Sequence, residues 1–175
     1  MKNVKLVVPN KNDYAYKEKL ENDIKTMSYN AGYNVSYDGY NYETGCISFN
    51  KEKWLKLIND NNVYFAYIKD CNINMYIGYV NYYLNKESNI YESSILIEYK
   101  YRGKGYAKDA LNLLIKEAYK NGIDYLYDSF EKDRNNTLKL FLDTGFEIVK
   151  ETKWKKFGKD VEGVVVKVAL EDKWK

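Results

Sequence analysis

The sequence predicts an α/β domain built around one mixed β-sheet. Two observations predict it: short apolar or aromatic runs of strand type recur along the chain, and amphipathic runs of helical period alternate with them. The length of 175 residues fits one domain that buries roughly 70% of its unfolded surface. No internal repeat or low-complexity linker divides the chain.

The first third of the chain predicts one strand, two helices and a long loop. Residues 4–8 form the strand and residues 13–27 a polar helix. Residues 30–45 are rich in Tyr, Asn and Gly and predict a loop, which at this length is usually functional or disordered. Asn50 is placed to cap a second helix that continues through Ile58.

The remainder predicts strands that surround two further helices. Residues 63–68 and 74–84 read as a hairpin, and residues 91–98 as the next strand. A helix follows residues 101–105 and ends at Gly122. A strand at 125–130, a helix from 136 to about 144 and a final hairpin, 147–155 with 161–170, complete the pattern.

Residues 101–110, which read YRGKGYAKDA, lie between a predicted strand and a predicted helix. The free N–H groups and dipole of a helix N-terminus favour an anion, and Gly103 and Gly105 allow close approach of the backbone. Three basic side chains add charge: Arg102, Lys104 and Lys108. The loop alone is equally consistent with a tight solvated turn. A third glycine is missing for a dinucleotide fingerprint, and a P-loop pattern is absent.

Composition excludes several classes of function. The 28 basic and 25 acidic residues give a net charge of +3, which is too balanced to predict a nucleic-acid partner. The 20 tyrosines are consistent with an aromatic-lined sugar or nucleic-acid site, but biased codon usage explains them better. The absence of histidine removes Ser-His and Cys-His nucleophilic systems and the commonest metal ligand.

Cys46 and Cys71 cannot build a zinc site alone, so we expect no metal. The N-terminus lacks a signal-peptide core, so we expect a cytoplasmic protein with unpaired thiols. No apolar run approaches the roughly 20 residues of a membrane span, which predicts no membrane partner.

Residues 102–107, RGKGYA, resemble the acyl-CoA-binding motif of the GNAT superfamily of N-acetyltransferases: Gln or Arg, two residues, Gly, one residue, then Gly or Ala. Residues 125–130 look like that family's next strand, and residues 136–146 look like its last helix and Gly-Phe turn. The resemblance implies one GNAT-like domain over residues 1–175, with an acyl-CoA-binding core at about 63–170. It implies a mostly antiparallel, twisted sheet of six to seven strands.

The same resemblance implies transfer of an acetyl group from acetyl-CoA to a primary amine by direct attack on the thioester. The acceptor would be an amine-bearing small molecule or a protein N-terminus, and the protein a monomer or homodimer. The polar helix ending ENDIKTMSYN looks like the branch that acts on ribosomal-protein N-termini. The loop around Asp38 has few acids, which disfavours an aminoglycoside.

The resemblance also assigns residues to the cofactor. Backbone groups of the strand before the loop would hold the pantetheine arm and thioester: Ile95, Leu96 and Ile97. The pyrophosphate would lie on the loop and the start of its helix: Arg102, Gly103, Lys104, Gly105, Tyr106 and Ala107. Asn136 would contact the pantetheine, or else Asn135 or Asn136 only caps the last helix.

Phe141 stands four residues before the Gly of the Gly-Phe turn, where many family members carry a tyrosine that protonates the departing thiolate. Phenylalanine has no proton to give. Another tyrosine could supply the proton, water could supply it, or the protein could be a non-catalytic acyl-CoA-binding or regulatory module. We therefore expect Phe141 to lie beside the cofactor without this role.

The candidate bases are Glu92, near the start of the strand that precedes the loop, and Glu131, at the end of the next strand. Glu92 could instead be a surface charge, and Glu131 could instead support the following turn. By analogy with the family, the acceptor would contact the segment after the first helix, at Tyr29, Asn30 and Tyr33.

Overall fold

Seven strands form one sheet in the computed structural model, which describes residues 2–171. The strands are β1 (Val4–Val7), β2 (Val63–Asp70), β3 (Met75–Asn85), β4 (Ile90–Ile97), β5 (Tyr125–Glu131), β6 (Glu147–Lys156) and β7 (Lys159–Ala169). Their order in the sheet is β1-β2-β3-β4-β5-β7-β6. Among these seven strands of the described residues, β4 and β5 alone pair in parallel, which confirms the mixed, mostly antiparallel sheet.

Helices cover both faces of this sheet. They are α1 (Tyr14–Asn22), α2 (Ile24–Met27), α3 (Lys51–Ile58), α4 (Tyr106–Lys120) and α5 (Asn135–Asp143), with 3₁₀ turns at Ser28–Asn30 and Tyr99–Tyr101. Alternate residues of a strand point to opposite faces. Ala66 and Ile68 therefore join the core beneath α4, whereas Phe65 and Tyr67 pack with Trp54 of α3. The loop between β4 and α4 thus lies at one end of a sheet that is packed on both sides.

The single helix predicted for residues 13–27 is wrong, because the chain is extended at Asp23 and the helix is split into α1 and α2. The Asp23 carboxylate accepts hydrogen bonds from the backbone N–H of Lys25 and the hydroxyl of Thr26. A side chain that bonds to the backbone in this way competes with helix continuation. The predicted cap of α3 is confirmed, since Asn50 Oδ1 accepts from Lys53 N at 2.9 Å.

The loop predicted at residues 30–45 is confirmed as a connection between helices and is attached to the β6–β7 hairpin. Phe157 N donates to Gly32 O at 2.7 Å, and Gly32 N donates to Tyr42 O at 2.7 Å. The φ angle of Gly32 is +86°, and a Cβ there would lie 2.5 Å from the Phe157 ring. Glycine is therefore required at this close approach.

Within residues 2–171, none of the helices is both long enough and apolar enough to pass through a membrane. In the same range, the Asp, Glu and Cys side chains form no group of three or more that could hold a metal ion.

Candidate active site

β4 and β5 separate shortly after they begin to pair. Their parallel register contains only the pairs Tyr91 with Leu126 and Glu92 with Tyr127. Beyond these pairs a cleft of about 960 Å³ opens between the strands, a volume typical of ligand sites. Its walls include the end of β4, the loop before α4, the end of β5 and one side of α5: Ser94, Ile95, Leu96, Ile97, Arg102, Gly103, Gly105, Tyr106, Ala107, Ser129, Phe130, Asn136 and Phe141.

The two predicted glycines shape the loop at the mouth of the cleft. Gly103 has φ +70° and Gly105 has φ +84°, and a Cβ at either position would meet no atom within 4 Å. Gly105 precedes the first turn of the 15-residue helix α4, and no side chain caps that turn. Its N–H groups therefore point toward open space, which suits a phosphate.

The predicted basic residues of the loop have different surroundings. Arg102 Nε donates to Ile97 O at 2.9 Å, and one of its terminal nitrogens donates to Thr26 O at 2.6 Å. Its guanidinium therefore ties α2 to the end of β4. Lys104 lies over the Tyr101 ring at 5.6 Å, and Lys108 pairs with Asp143 at 3.7 Å.

Asn136 and Phe141 lie on α5 and line the cleft. Both Asn135 and Asn136 are inside the helix, and Arg134 occupies the cap position, so neither asparagine is the N-cap. Phe141 is 2% exposed, with its ring 5.1 Å from Phe130 and 4.8 Å from Phe146. This part of the cleft wall is apolar and offers no hydroxyl.

Neither predicted base lines the cleft. Glu92 accepts from Tyr83 Oη at 2.5 Å and Asn85 Nδ2 at 2.8 Å. Glu131 accepts from the Tyr33 hydroxyl and from Lys156 Nζ, the latter at 2.6 Å. Burial raises the pKa of Glu131, but the hydrogen bonds from Lys156 and Tyr33 outweigh burial and hold the pKa below its ordinary value. Glu131 is thus an ion-paired carboxylate that joins β5 to β6 and to the loop.

Of the three predicted acceptor contacts, Tyr29 alone lines the cleft. Its ring centre is 5.1 Å from Arg134 Cζ and 6.0 Å from Arg102 Cζ. Asn30 holds the loop together, since its Nδ2 donates to Gly45 O and its carbonyl accepts from Tyr40. The Tyr33 hydroxyl is bonded to Glu131.

Asp128, which we did not predict, is a carboxylate that lines the cleft where β4 and β5 separate. Burial raises its pKa to about 8, although hydrogen bonds from Ser129 N and Ser93 and the charge of Arg134 act in the opposite direction. A carboxyl group with this pKa can exchange protons near neutral pH. A lone acid inside the strand-like run of residues 125–130 was the only signal in the sequence.

The comparisons with solved structures agree with this architecture. Spermidine N-acetyltransferase from Vibrio cholerae in complex with CoA and spermine gives a TM-score of 0.77 at 17% identity, over 96% of both chains. A chimera of the Vibrio cholerae enzyme and hSSAT gives 0.76 at 18% identity, over 98% of both chains. The Salmonella typhimurium protein yncA with its cofactor acetyl-CoA gives 0.75 at 16% identity, over 97% of this chain and 95% of that chain. At these identities the likeness shows the fold.

No curated protein sequence matches the chain. The family model named Acetyltransferase (GNAT) family matches residues 27–146, which is more than half of the chain. This match includes the glycine loop, the cleft between β4 and β5, and α5. The chain therefore belongs to the acetyltransferase (GNAT) family, whose reaction is the transfer of an acetyl group from acetyl-CoA to an amine.

Proposed function

We propose that the protein acetylates the primary amine of a small molecule, with acetyl-CoA bound in the cleft between β4 and β5 and Asp128 as the base. The observation that carries this proposal is the continuity of one cleft. It runs from the open glycine loop at the start of α4, along the unpaired edge of β4, to a carboxyl group with a raised pKa.

The chain has the groups that this cofactor requires. The N–H groups of residues 103–107 would hold the pyrophosphate, because the loop is open and the helix end is uncapped by any side chain. Residues 95–97 have no strand partner on the β5 side, so their backbone groups would pair with the amides of the pantetheine arm. A second depression, lined by Lys2, Asn112 and Lys108, adjoins the loop and would receive the adenosine end.

Asp128 would take the proton from the ammonium form of the acceptor. The free amine then attacks the thioester carbonyl carbon, a C–N bond forms, and the C–S bond breaks with its electron pair leaving on sulfur. The nitrogen, which still carries one proton more than the amide product, loses that proton to water. Phe141 has no proton for that thiolate. A thiolate whose conjugate acid has a pKa of about 8.5 can leave unaided and then take a proton from protonated Asp128 or from water.

Two observations favour a small acceptor. The loop at residues 30–45 is hydrogen-bonded to the β6–β7 hairpin, and the Phe157 ring fills the space beside Gly32, so the acceptor side has a fixed wall. The Vibrio cholerae neighbour was solved with spermine, which is a small amine. A protein N-terminus, as in the branch that acts on ribosomal proteins, would need an open groove on this side.

Two experiments test the proposal: a titration of the protein with acetyl-CoA that follows Tm, and an assay of CoA release with a panel of amines. Acetyl-CoA at 100 times its Kd should stabilise the protein by about 2.7 kcal/mol, which is roughly 5 to 10 °C in Tm. Release of free CoA thiol should then depend on an added small amine. Stabilisation without any amine-dependent release would instead support the non-catalytic acyl-CoA-binding module, and release only with peptides would support a protein N-terminus.

A further inference from the structure

We infer that the acceptor carries a carboxylate close to its amine, and that Arg134 binds this carboxylate. The inference rests on the proposed function and specifies its substrate class: amino acids and other aminocarboxylates rather than polyamines. Arg134 lies in the turn between β5 and α5, and its side chain lines the cleft beside Tyr29.

Arg134 is a cation without a matching anion. Within residues 2–171, no carboxylate oxygen lies within 4.0 Å of its guanidinium, and its side chain donates no hydrogen bond. The guanidinium instead lies over the face of the Tyr29 ring, at 5.1 Å. A half-buried guanidinium with five unused donors is suited to a planar carboxylate, which it can bind through two parallel hydrogen bonds.

The other guanidinium in the cleft is already occupied. The Arg102 guanidinium donates hydrogen bonds to the carbonyl oxygens of Ile97 and Thr26. Arg134 is therefore the arginine that remains free to bind a ligand at this end of the cleft.

The acids around this end of the cleft argue against a polycation. Most of them already form an ion pair with a lysine of the chain: Glu21 with Lys17, Glu131 with Lys156, and Glu98 with Lys19. Glu92 has no lysine, but it is bonded to Tyr83 and Asn85 and does not line the cleft. Asp143, which does line the cleft, is paired with Lys108 and Lys139, and Asp133 is exposed in the turn beside Arg134 and does not line the cleft. Among the described residues that line the cleft, a polyamine would therefore find one carboxylate without a lysine, Asp128, and would place its other ammonium groups near two guanidinium groups.

Asp128 and Arg134 together match an aminocarboxylate. Both side chains line the same cleft, and the charge of Arg134 lowers the pKa of Asp128, yet no ion pair within 4.0 Å joins them. An ammonium group on Asp128 and a carboxylate on Arg134 would give each side chain a partner of opposite charge. This arrangement would hold the amine beside the end of β4, where the thioester is expected.

Matched acceptors test the inference. The common α-amino acids, β-alanine and γ-aminobutyrate would each be compared with the corresponding carboxamide and the amine that lacks the carboxylate, with spermidine as the polycation. We expect kcat/KM for the best aminocarboxylate to be at least about 10-fold higher than for its carboxamide or for spermidine. The reason is that only the carboxylate accepts a charge-assisted hydrogen bond from Arg134. Calorimetric binding of the same compounds to the protein–CoA complex should show the same order without catalysis.

Variants in the turn between β5 and α5 test whether Arg134 acts in acceptor binding or in another way. R134Q should raise the KM of the aminocarboxylate by about 10- to 100-fold and leave that of acetyl-CoA unchanged, and R134K should recover part of the loss. K132Q removes a charge from the same turn, where Lys132 pairs with Glu151, and should change neither constant.

Three results would overturn the inference. Spermidine or a simple amine could be the better substrate, in which case the proposed function stands and the substrate class is wrong. R134Q could instead weaken the binding of acetyl-CoA, which would assign Arg134 to the cofactor site. Failure of every aminocarboxylate to bind the protein–CoA complex would reject the inference even without turnover, whereas a lack of transfer to any amine would reject the proposed function.

Discussion

Ser93 Oγ lies 3.5 Å from Asp128 Oδ2 and 3.1 Å from the carbonyl oxygen of Tyr127, at the point where β4 and β5 stop pairing. One hydroxyl thus bridges the two strands at the closed end of the cleft. The same hydroxyl helps to stabilise the ionised form of Asp128 and lowers its pKa, against the larger effect of burial.

Ser93→Ala should move the pH dependence of the reaction. Because the hydroxyl lowers the pKa of Asp128, its removal should raise that pKa and shift the acidic limb of kcat/KM to higher pH. Rate profiles of the variant and the wild type would measure the shift. Ser94→Ala is the neighbouring control, and an unchanged limb in Ser93→Ala would mean that Asp128 is not the group that titrates.

Gly105→Glu should abolish stabilisation by acetyl-CoA. The new side chain would place a carboxylate where the pyrophosphate is expected, so the rise of about 5 to 10 °C in Tm should disappear. Gly122→Glu is a matched control, because Gly122 has a similar positive φ of +75° and equally open surroundings at the far end of α4. If both variants respond alike to acetyl-CoA, the phosphate lies elsewhere.

The lower pKa of Glu131 predicts how its removal affects stability. A carboxyl whose folded pKa is depressed contributes stability above its unfolded pKa of about 4.3, and that stability is lost as pH falls through the folded pKa. Glu131→Gln should therefore lower the free energy of unfolding by about 1 to 3 kcal/mol at pH 7, and by less at pH 4. Urea unfolding at both pH values would measure this.

Glu151→Gln provides the comparison, since the ion pair of Glu151 with Lys132 is exposed to solvent, is screened there, and should contribute much less to stability. An equal loss for the two variants would contradict the assigned role of Glu131.

Arg102 should matter through its hydrogen bonds more than through its charge. Arg102→Lys keeps the charge, but an ammonium group cannot reproduce the forked donors that bind Ile97 O and Thr26 O. We expect a loss of about 1 to 3 kcal/mol in stability together with weaker binding of acetyl-CoA. Lys104→Gln removes a charge from the same loop without these bonds and should change stability by less than about 0.5 kcal/mol.

Much of the fold could be predicted because local patterns determine it. The glycines at 103 and 105 were readable since only glycine adopts their positive φ at little cost. Asn50 could be predicted as a cap because its side chain bonds to the backbone only three residues further along the chain. Asp23 misled the prediction, because a polar residue within a helical pattern has the same appearance whether it faces solvent or bonds to the next turn.

The acceptor end of the site could not be predicted, because its contacts join distant parts of the chain. The contact of Tyr29 with Arg134 spans more than a hundred residues, and so does the bond from Lys156 Nζ to Tyr29 O. Asp128 resembled a solvent-facing residue of an alternating strand. Only the separation of β4 from β5 makes it a partly buried acid that lines the cleft.

The pH dependence of kcat/KM for Asp128→Asn, compared with the wild type, tests the role of Asp128 most directly. Raising a folded carboxyl pKa costs stability as pH rises from about 4 to 8, so the variant should be at least as stable as the wild type at pH 8. With a functioning amine acceptor, the wild-type kcat/KM should rise with pH through a midpoint near 8 and reach its plateau above that pH. The variant should lose about 10²- to 10⁴-fold in rate together with that limb. A folded variant that keeps both the rate and the limb would contradict the assignment of Asp128 as the base.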